Sequence, residues 1–389
     1  MRNAFALVLT AASLASLTLA AACSSESSPE GEGCSAHSDC GSSSPYCGDD
    51  GACGEPPPGA ELGWKGESPA ISVVAEGESF RKPTDIEWNP SATDEAWVVN
   101  YTDDSVAVVS GAAAGAASVL HMRDPAASHF MRRPPALAMG QLLETFGQTF
   151  GVCGDGDNGG NDFMGPALFT TDQSIFAVQT EIGLGSHLDM LHSTSFCRGI
   201  AWDEANVYYA FNSVFGSIDQ YDFASDHGPG WDDHSDGSIF RMVAGELSGV
   251  DGIPSHVALH QGRRELFVAD TGSGRILGVM VDTGSPGTRF GGNEPIVERR
   301  NIVGTELREV VPAGVLQQPS GIELRGDVIF VTDHATSRFH AFDLEGKELA
   351  SLDTTLPPGS LAGFDFGPDG KIYFVDMIGQ RILKIDPRP

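Results

Sequence analysis

The stretch YDFASDHGPGWDDHSDGSIF, residues 221–240, concentrates side chains that bind metals or move protons. From Asp219, two residues before it, to Asp236 the chain holds six aspartates and two histidines among glycines and a proline. Asp226, Asp232, Asp233 and Asp236 are spaced to wrap a hard cation, with carbonyls held open by Gly228 and Gly230. Calcium takes roughly six to eight oxygen ligands and tolerates irregular loops, and crowded carboxylates repel one another unless a counterion joins them. The D-x-D-x-D-G spacing of the helix–loop–helix calcium site is absent, and an ion-free Asp/Gly surface turn has the same composition. Elsewhere His187, His256 and His334 offer neutral imidazole, the donor that suits zinc and similar divalent ions.

Other motifs carry less. SHLDMLH (186–192) alternates His187, Asp189 and His192 with Leu188, Met190 and Leu191, which describes either a decorated strand or a ligand strand. GVCGDGDNGGND (151–162) is glycine-rich, but it is acidic and no helix follows, so it is no phosphate cradle. ADTGSG (269–274) contains the D-T-G of aspartic proteases without the second copy that paired-carboxylate chemistry needs. Neither a G-x-S-x-G elbow nor an H-E-x-x-H helix is present.

The elements that must position these groups repeat along the chain. PSHVALHQGRRELFVADTGSGRILGV (254–279), PSGIELRGDVIFVTDHATSRFHAF (319–342) and SLAGFDFGPDGKIYFVDMIGQRILKI (360–385) share one frame. Each runs through a small or polar start, a short strand, a turn, a second strand ending in Asp, a polar loop, then Arg and a third strand. Residues 83–109 and 197–223 follow it more loosely, and 134–156 and 165–192 each carry part of it. Units of three or four short strands expose two apolar faces, and packing them around an axis buries both.

The pattern P-S-G-I … V-x-D … R-I resembles the NHL repeat over nearly all of residues 69–389. The resemblance implies an all-β fold, a β-propeller of six blades with 134–192 as one enlarged blade, or of seven if that region holds two. AISVVAEG (70–77) is a spare strand expected to close the ring onto the last repeat, which ends at ILKIDPRP. In that topology the starts of first strands and the ends of second strands meet at one funnel. Asp85, Tyr101, Thr271, His334 and Met377 are expected to line it together with His256, and His187 joins them if it opens a third strand. Three histidines from three blades resemble the zinc site of the peptidylglycine amidating lyase propeller. That family sets its histidine directly after proline, however, and here Ser255 intervenes between Pro254 and His256. Histidines hydrogen-bonded around a wet channel, or a ligand site without metal, are the alternatives. The Asp-rich loop falls between a third and a fourth strand, on the outer part of the opposite face.

Seven cysteines divide by context. Cys34, Cys40, Cys47 and Cys53 sit in twenty residues too short and polar to build a core, so two disulfides are expected, with their pairing open; a zinc knuckle uses closer pairs. Cys153 and Cys197 are expected to bridge the larger domain. The start, MRNAFALVLTAASLASLTLAAAC, is a secretory leader whose LAAAC resembles the bacterial lipobox, making Cys23 the lipidated first residue of the mature protein. By that resemblance Ser24 favours the outer membrane or cell surface of the cell envelope. The expected organisation is a signal peptide (1–22), a tether (23–33), a disulfide module (34–53), a Pro/Gly-rich linker (54–68) and the propeller (69–389).

A net charge of −30 excludes nucleic acid as a partner and leaves the lipid anchor as the membrane contact. The residues thus favour a lipid-anchored extracytoplasmic binding or scaffold module for a protein, peptide or glycan. The alternative is a metal-dependent lyase or hydrolase in the funnel, with the ion as Lewis acid and Asp85, Tyr101 or Asp270 as acid or base.

Overall fold

The computed structural model describes residues 33–41, 44–156, 165–231, 233–292 and 294–388. Cys23 and the whole leader and lipobox reading lie outside them. The chain divides into two compact units, 1–55 and 56–389. In the first, Cys34 is bonded to Cys47 and Cys40 to Cys53, around a two-residue ladder of Tyr46–Cys47 with Cys53–Gly54. The His37 Nδ1 accepts the Cys47 N–H at 2.8 Å, and Asp39 caps the N–H groups of Ser35 and Ala36.

The second unit is a six-bladed β-propeller. Blades 1 to 6 occupy residues 83–122, 137–190, 197–242, 257–311, 319–353 and 361–386. Residues 134–192 therefore make one blade, and the count is six rather than seven. The strand Ala70–Glu76 pairs antiparallel with Arg381–Asp386 and supplies the fourth strand of blade 6. The closure expected from AISVVAEG is present.

Sequence pattern follows position within the blade. Second strands such as Glu265–Asp270 and Val328–Asp333 are buried on both faces, and so read as continuous apolar runs. Fourth strands such as Glu348–Asp353 alternate with exposed residues. Apolar clusters fill each seam between neighbouring blades; Trp97, Phe150, Phe169 and Phe176 pack together between blades 1 and 2.

The repeat signature itself is structural. The hydroxyl after the repeat's leading proline reaches the neighbouring blade: Thr84 donates to Pro134 O at 2.7 Å and Ser320 to Pro254 O at 2.9 Å. The Asp ending a second strand faces the Arg that opens the third, as in Asp270–Arg275 at 2.7 Å and Asp376–Arg381 at 2.9 Å. Asp270 also takes the Ser248 N–H, so it is a turn-closing group and not a free acid or base. Glycine is needed where first strands crowd the axis. A Cβ on Gly363 would lie 2.0 Å from Asp85 Oδ1 and 2.7 Å from His256 Cε1.

Among the described residues, blades 2 to 4 carry additions to the repeat. Residues 171–188 precede a short fourth strand in blade 2, Asp189–Met190. Residues 223–237 link the third and fourth strands of blade 3. Within blade 4, between its third and fourth strands, a hairpin of Ser285–Arg289 and Glu298–Val303 extends blade 3 by parallel pairing with Ser238–Met242. Residues 56–64, expected as linker, instead strap blades 5 and 6. Leu62 enters the core between those blades, and Trp64 donates its N–H to Pro387 O.

Candidate functional site

The funnel face gathers the starts of first strands and the turns after second strands. On the side of blades 1 to 3 its floor is a charged network. The Tyr101 hydroxyl donates to Asp155 at 2.6 Å, and the Arg198 guanidinium is buried between Asp155 and Asp251. Lys82 lies 4.4 Å from the Tyr101 ring centre and bonds Gly252 O at 3.2 Å. Burial pushes the Lys82 ammonium down; burial and then the adjacent Asp155 push the Tyr101 phenol up.

His256 fills the neck of the channel. Its Nε2 stands 3.0 Å from Pro135 O, its Nδ1 3.6 Å from Asp85, and its ring edge meets Gly363. Burial lowers its pKa to about 4, so at neutral pH it is an uncharged plug that donates to a carbonyl. His334 stands at the funnel with Nδ1 2.7 Å from Leu361 O. Asp85 is buried at the neck, and Leu137 and Ile86 donate their N–H groups to it. Thr271 and Met377, expected to line the funnel, are buried in seams. The Thr271 hydroxyl donates to Pro319 O at 2.5 Å, and Met377 joins the apolar core between blades 6 and 1. In blades 4 and 6 the residue after the second-strand Asp thus turns into its blade, whereas His334, at the same place in blade 5, stands at the funnel.

His187 is not in the funnel. The third strand of blade 2 is Ala167–Thr170, so SHLDM leads into the fourth, outer strand, Asp189–Met190. There the His187 ring stacks on Phe130 with centres 3.7 Å apart. Among the described residues, no set of three ligating side chains within 4.8 Å includes His187, His256 or His334. The three-histidine zinc arrangement does not form.

Past His256, a cavity of about 230 Å³ is lined by Asp85, Glu87, Glu323 and apolar residues of the first strands. Burial, then mutual repulsion with Asp365, raises Glu87 and Glu323 well above the ordinary carboxylate range. Burial raises Asp365 to about 6. A carboxylate whose folded pKa is raised holds a proton in the folded state that the unfolded state has released. Its contribution is favourable at low pH and is lost as pH rises from the unfolded value through the folded one. The Glu87→Gln protein should therefore match the parent in urea stability near pH 4 and exceed it at pH 7. An equal difference at both pH values would contradict the buried-acid reading.

The Asp-rich loop lies where the repeat frame places it, between third and fourth strands, but it has a partner the sequence did not indicate. His227 donates its N–H to Leu188 O at 3.1 Å, and Gly230 donates to His187 O at 2.7 Å, so the loop runs along the outer strand of blade 2. Among the described residues, Asp226, Asp233 and Asp236 do not converge as a calcium cage. Asp233 is exposed and caps the Ser235 N–H, Asp226 joins no ligating group among the described residues, and Asp232 lies outside them. Asp236 instead meets His227 at 3.0 Å, with Asp189 of blade 2 alongside. A second group, His192, His234 and Glu294, adjoins from the blade 2–3 connection, the loop and the blade 4 hairpin. Residues able to hold a metal are thus present at the blade 2–3 edge. The third such set, Cys34, Cys40 and Cys47, is consumed by disulfides.

No protein-family model matches the sequence, and no curated protein does either. Solved structures do share the fold. A protein of unknown function from Bacteroides thetaiotaomicron is 10% identical with a TM-score of 0.53, covering 82% of this chain and 76% of that one. An auxiliary nutrient binding protein from the same species is 9% identical with a TM-score of 0.52, covering 82% and 77%. One from Bacteroides ovatus is 12% identical with a TM-score of 0.51, covering 88% and 82%. At these identities the likeness shows the propeller fold alone. Among the described residues no helix is long and apolar enough to cross a membrane.

Proposed function

We propose that this chain is a lipid-anchored, extracytoplasmic binding propeller that recognises an extended peptide or protein segment on its funnel face. One observation carries the reading. Val214, Phe215, Val315 and Ile378, in turns of blades 3 to 6 that open to that face, are 43–55% exposed around the polar floor of Lys82, Tyr101 and Asp155. Apolar tips around a polar floor suit a chain with alternating side chains and free backbone groups. A glycan would favour open aromatic platforms, but the Phe215 ring is covered by the Arg241 guanidinium at 3.8 Å. The nutrient-binding names of two structural neighbours agree with a binding role. The displaced His187 removes the ligand set on which the enzyme alternative rested.

Selection of a displayed random-peptide library on the full mature chain tests the reading. Enriched peptides should lose binding on Phe215→Ser/Ile378→Ser and keep it on Leu142→Ser at the opposite face. No enrichment, or equal binding to all three proteins, would overturn it. Anchoring is tested separately by Cys23→Ala, which should move the protein from the membrane to the soluble fraction.

A further inference from the structure

We infer that Asp189, His227 and Asp236 form a binding site for a divalent transition-metal ion at the outer edge of blades 2 and 3. Their ligating atoms lie within 4.8 Å of one another, a spread that a single ion with bonds of roughly 2.0–2.2 Å can draw together. The decisive side chain is Asp189, 2% exposed. Its Oδ1 takes the Met190 N–H at 2.6 Å, whereas its Oδ2 is buried with no hydrogen-bond partner and faces His227 Nε2 at 3.8 Å. A buried carboxylate oxygen left bare is costly. Here the atom points into a group holding one imidazole and a second carboxylate. Burial raises the Asp189 carboxyl, the Met190 N–H lowers it in part, and the nearby Asp236, Glu294 and Asp233 raise it further.

The backbone holds the site ready. The bonds from His227 N–H to Leu188 O and from Gly230 N–H to His187 O fix the loop on the strand that carries Asp189, and Ser225 N–H orients Asp236 at 3.2 Å. The neighbouring group has less need of an ion. Glu294 is met by His192, His234 and the Arg299 guanidinium at 2.8 Å, so its charge is already balanced. One imidazole with two carboxylates suits zinc or a similar first-row ion. It is a poor set for calcium, which takes oxygen ligands throughout. Three protein ligands leave a further position for water or a ligand group.

The test is zinc titration of the full mature chain by calorimetry, with calcium in parallel and thermal unfolding as a second readout. Zinc should bind at one equivalent and raise the unfolding temperature. Asp189→Asn and His227→Ala should each weaken binding by more than the roughly 10–100-fold typical of outer-sphere partners, while His192→Ala retains it. His227 is partly exposed, so its variant reports on the site even if Asp189→Asn misfolds. Absence of zinc binding, binding lost on His192→Ala but kept on His227→Ala, or binding of calcium and not zinc would each overturn the assignment.

Discussion

The Asp219→Ala protein is expected to lose about 3–5 kcal/mol of stability, the cost of stranding a buried charge. Asp219 lies on the third strand of blade 3, just before the Asp-rich loop, and is fully buried. Arg241 donates to both of its oxygens, at 2.8 and 2.7 Å, and Asn212, Thr194 and Ser217 add bonds of 2.8 to 2.9 Å. The guanidinium is sandwiched between Phe215 and Phe290, 3.8 and 4.5 Å from the ring centres. Truncating the carboxylate would leave a cation between two rings in a site from which water is excluded. Asp222→Ala, which removes a turn contact to Ala224 N–H in a more exposed position, should change stability by less than about 1 kcal/mol. Urea denaturation of the two variants against the parent checks the contrast. Equal midpoints would mean that Asp219 is not the anchor of blade 3.

Loss of the Cys153–Cys197 bridge is the second large effect. The bond joins the end of the second strand of blade 2 to the start of the first strand of blade 3, across 44 residues of chain. Closing a loop of that length constrains the unfolded chain by about 4 kcal/mol in the entropic account. Both sulfurs are fully buried in the apolar seam between those blades. Cys197→Ser should therefore cost about 2–5 kcal/mol, visible as a lower unfolding temperature. The double variant Cys153→Ala/Cys197→Ala should recover part of the loss by removing the buried hydroxyl and the odd thiol. A single variant that melts with the parent would show that the bridge contributes nothing.

The parts of this molecule that were legible in its sequence are those governed by local pattern. P-S-G-I, V-x-D and the following Arg each mark a fixed place in a blade, because a hydroxyl must reach the next blade's carbonyl and an Asp must meet its Arg across one turn. The spare strand at 70–77 followed from the same frame, and the Cys153–Cys197 pairing from the even number of cysteines left outside the small module. His187 was misplaced because two of blade 2's loops are long. A residue three places before a methionine cannot be assigned to a third or a fourth strand when the repeat spacing fails. The calcium reading grouped aspartates adjacent in sequence, whereas the loop runs along another blade's edge, where His227 and Asp236 lie beside Asp189. Glu294 gave no signal, since it arrives from a hairpin that pairs in parallel with a different blade. The fold of 56–64 onto blades 5 and 6 was hidden by its proline content, which reads as linker but here supplies a rigid strap.

Recognition on the funnel face is tested most directly by hydrogen–deuterium exchange of the full chain with and without a selected peptide. Protection is predicted in the turns at 213–216, 312–318 and 377–380, with no change in 143–147 on the opposite face. Protection confined to 143–147 and the outer loops, with the funnel turns exchanging as before, would contradict the assignment of that face as the binding surface.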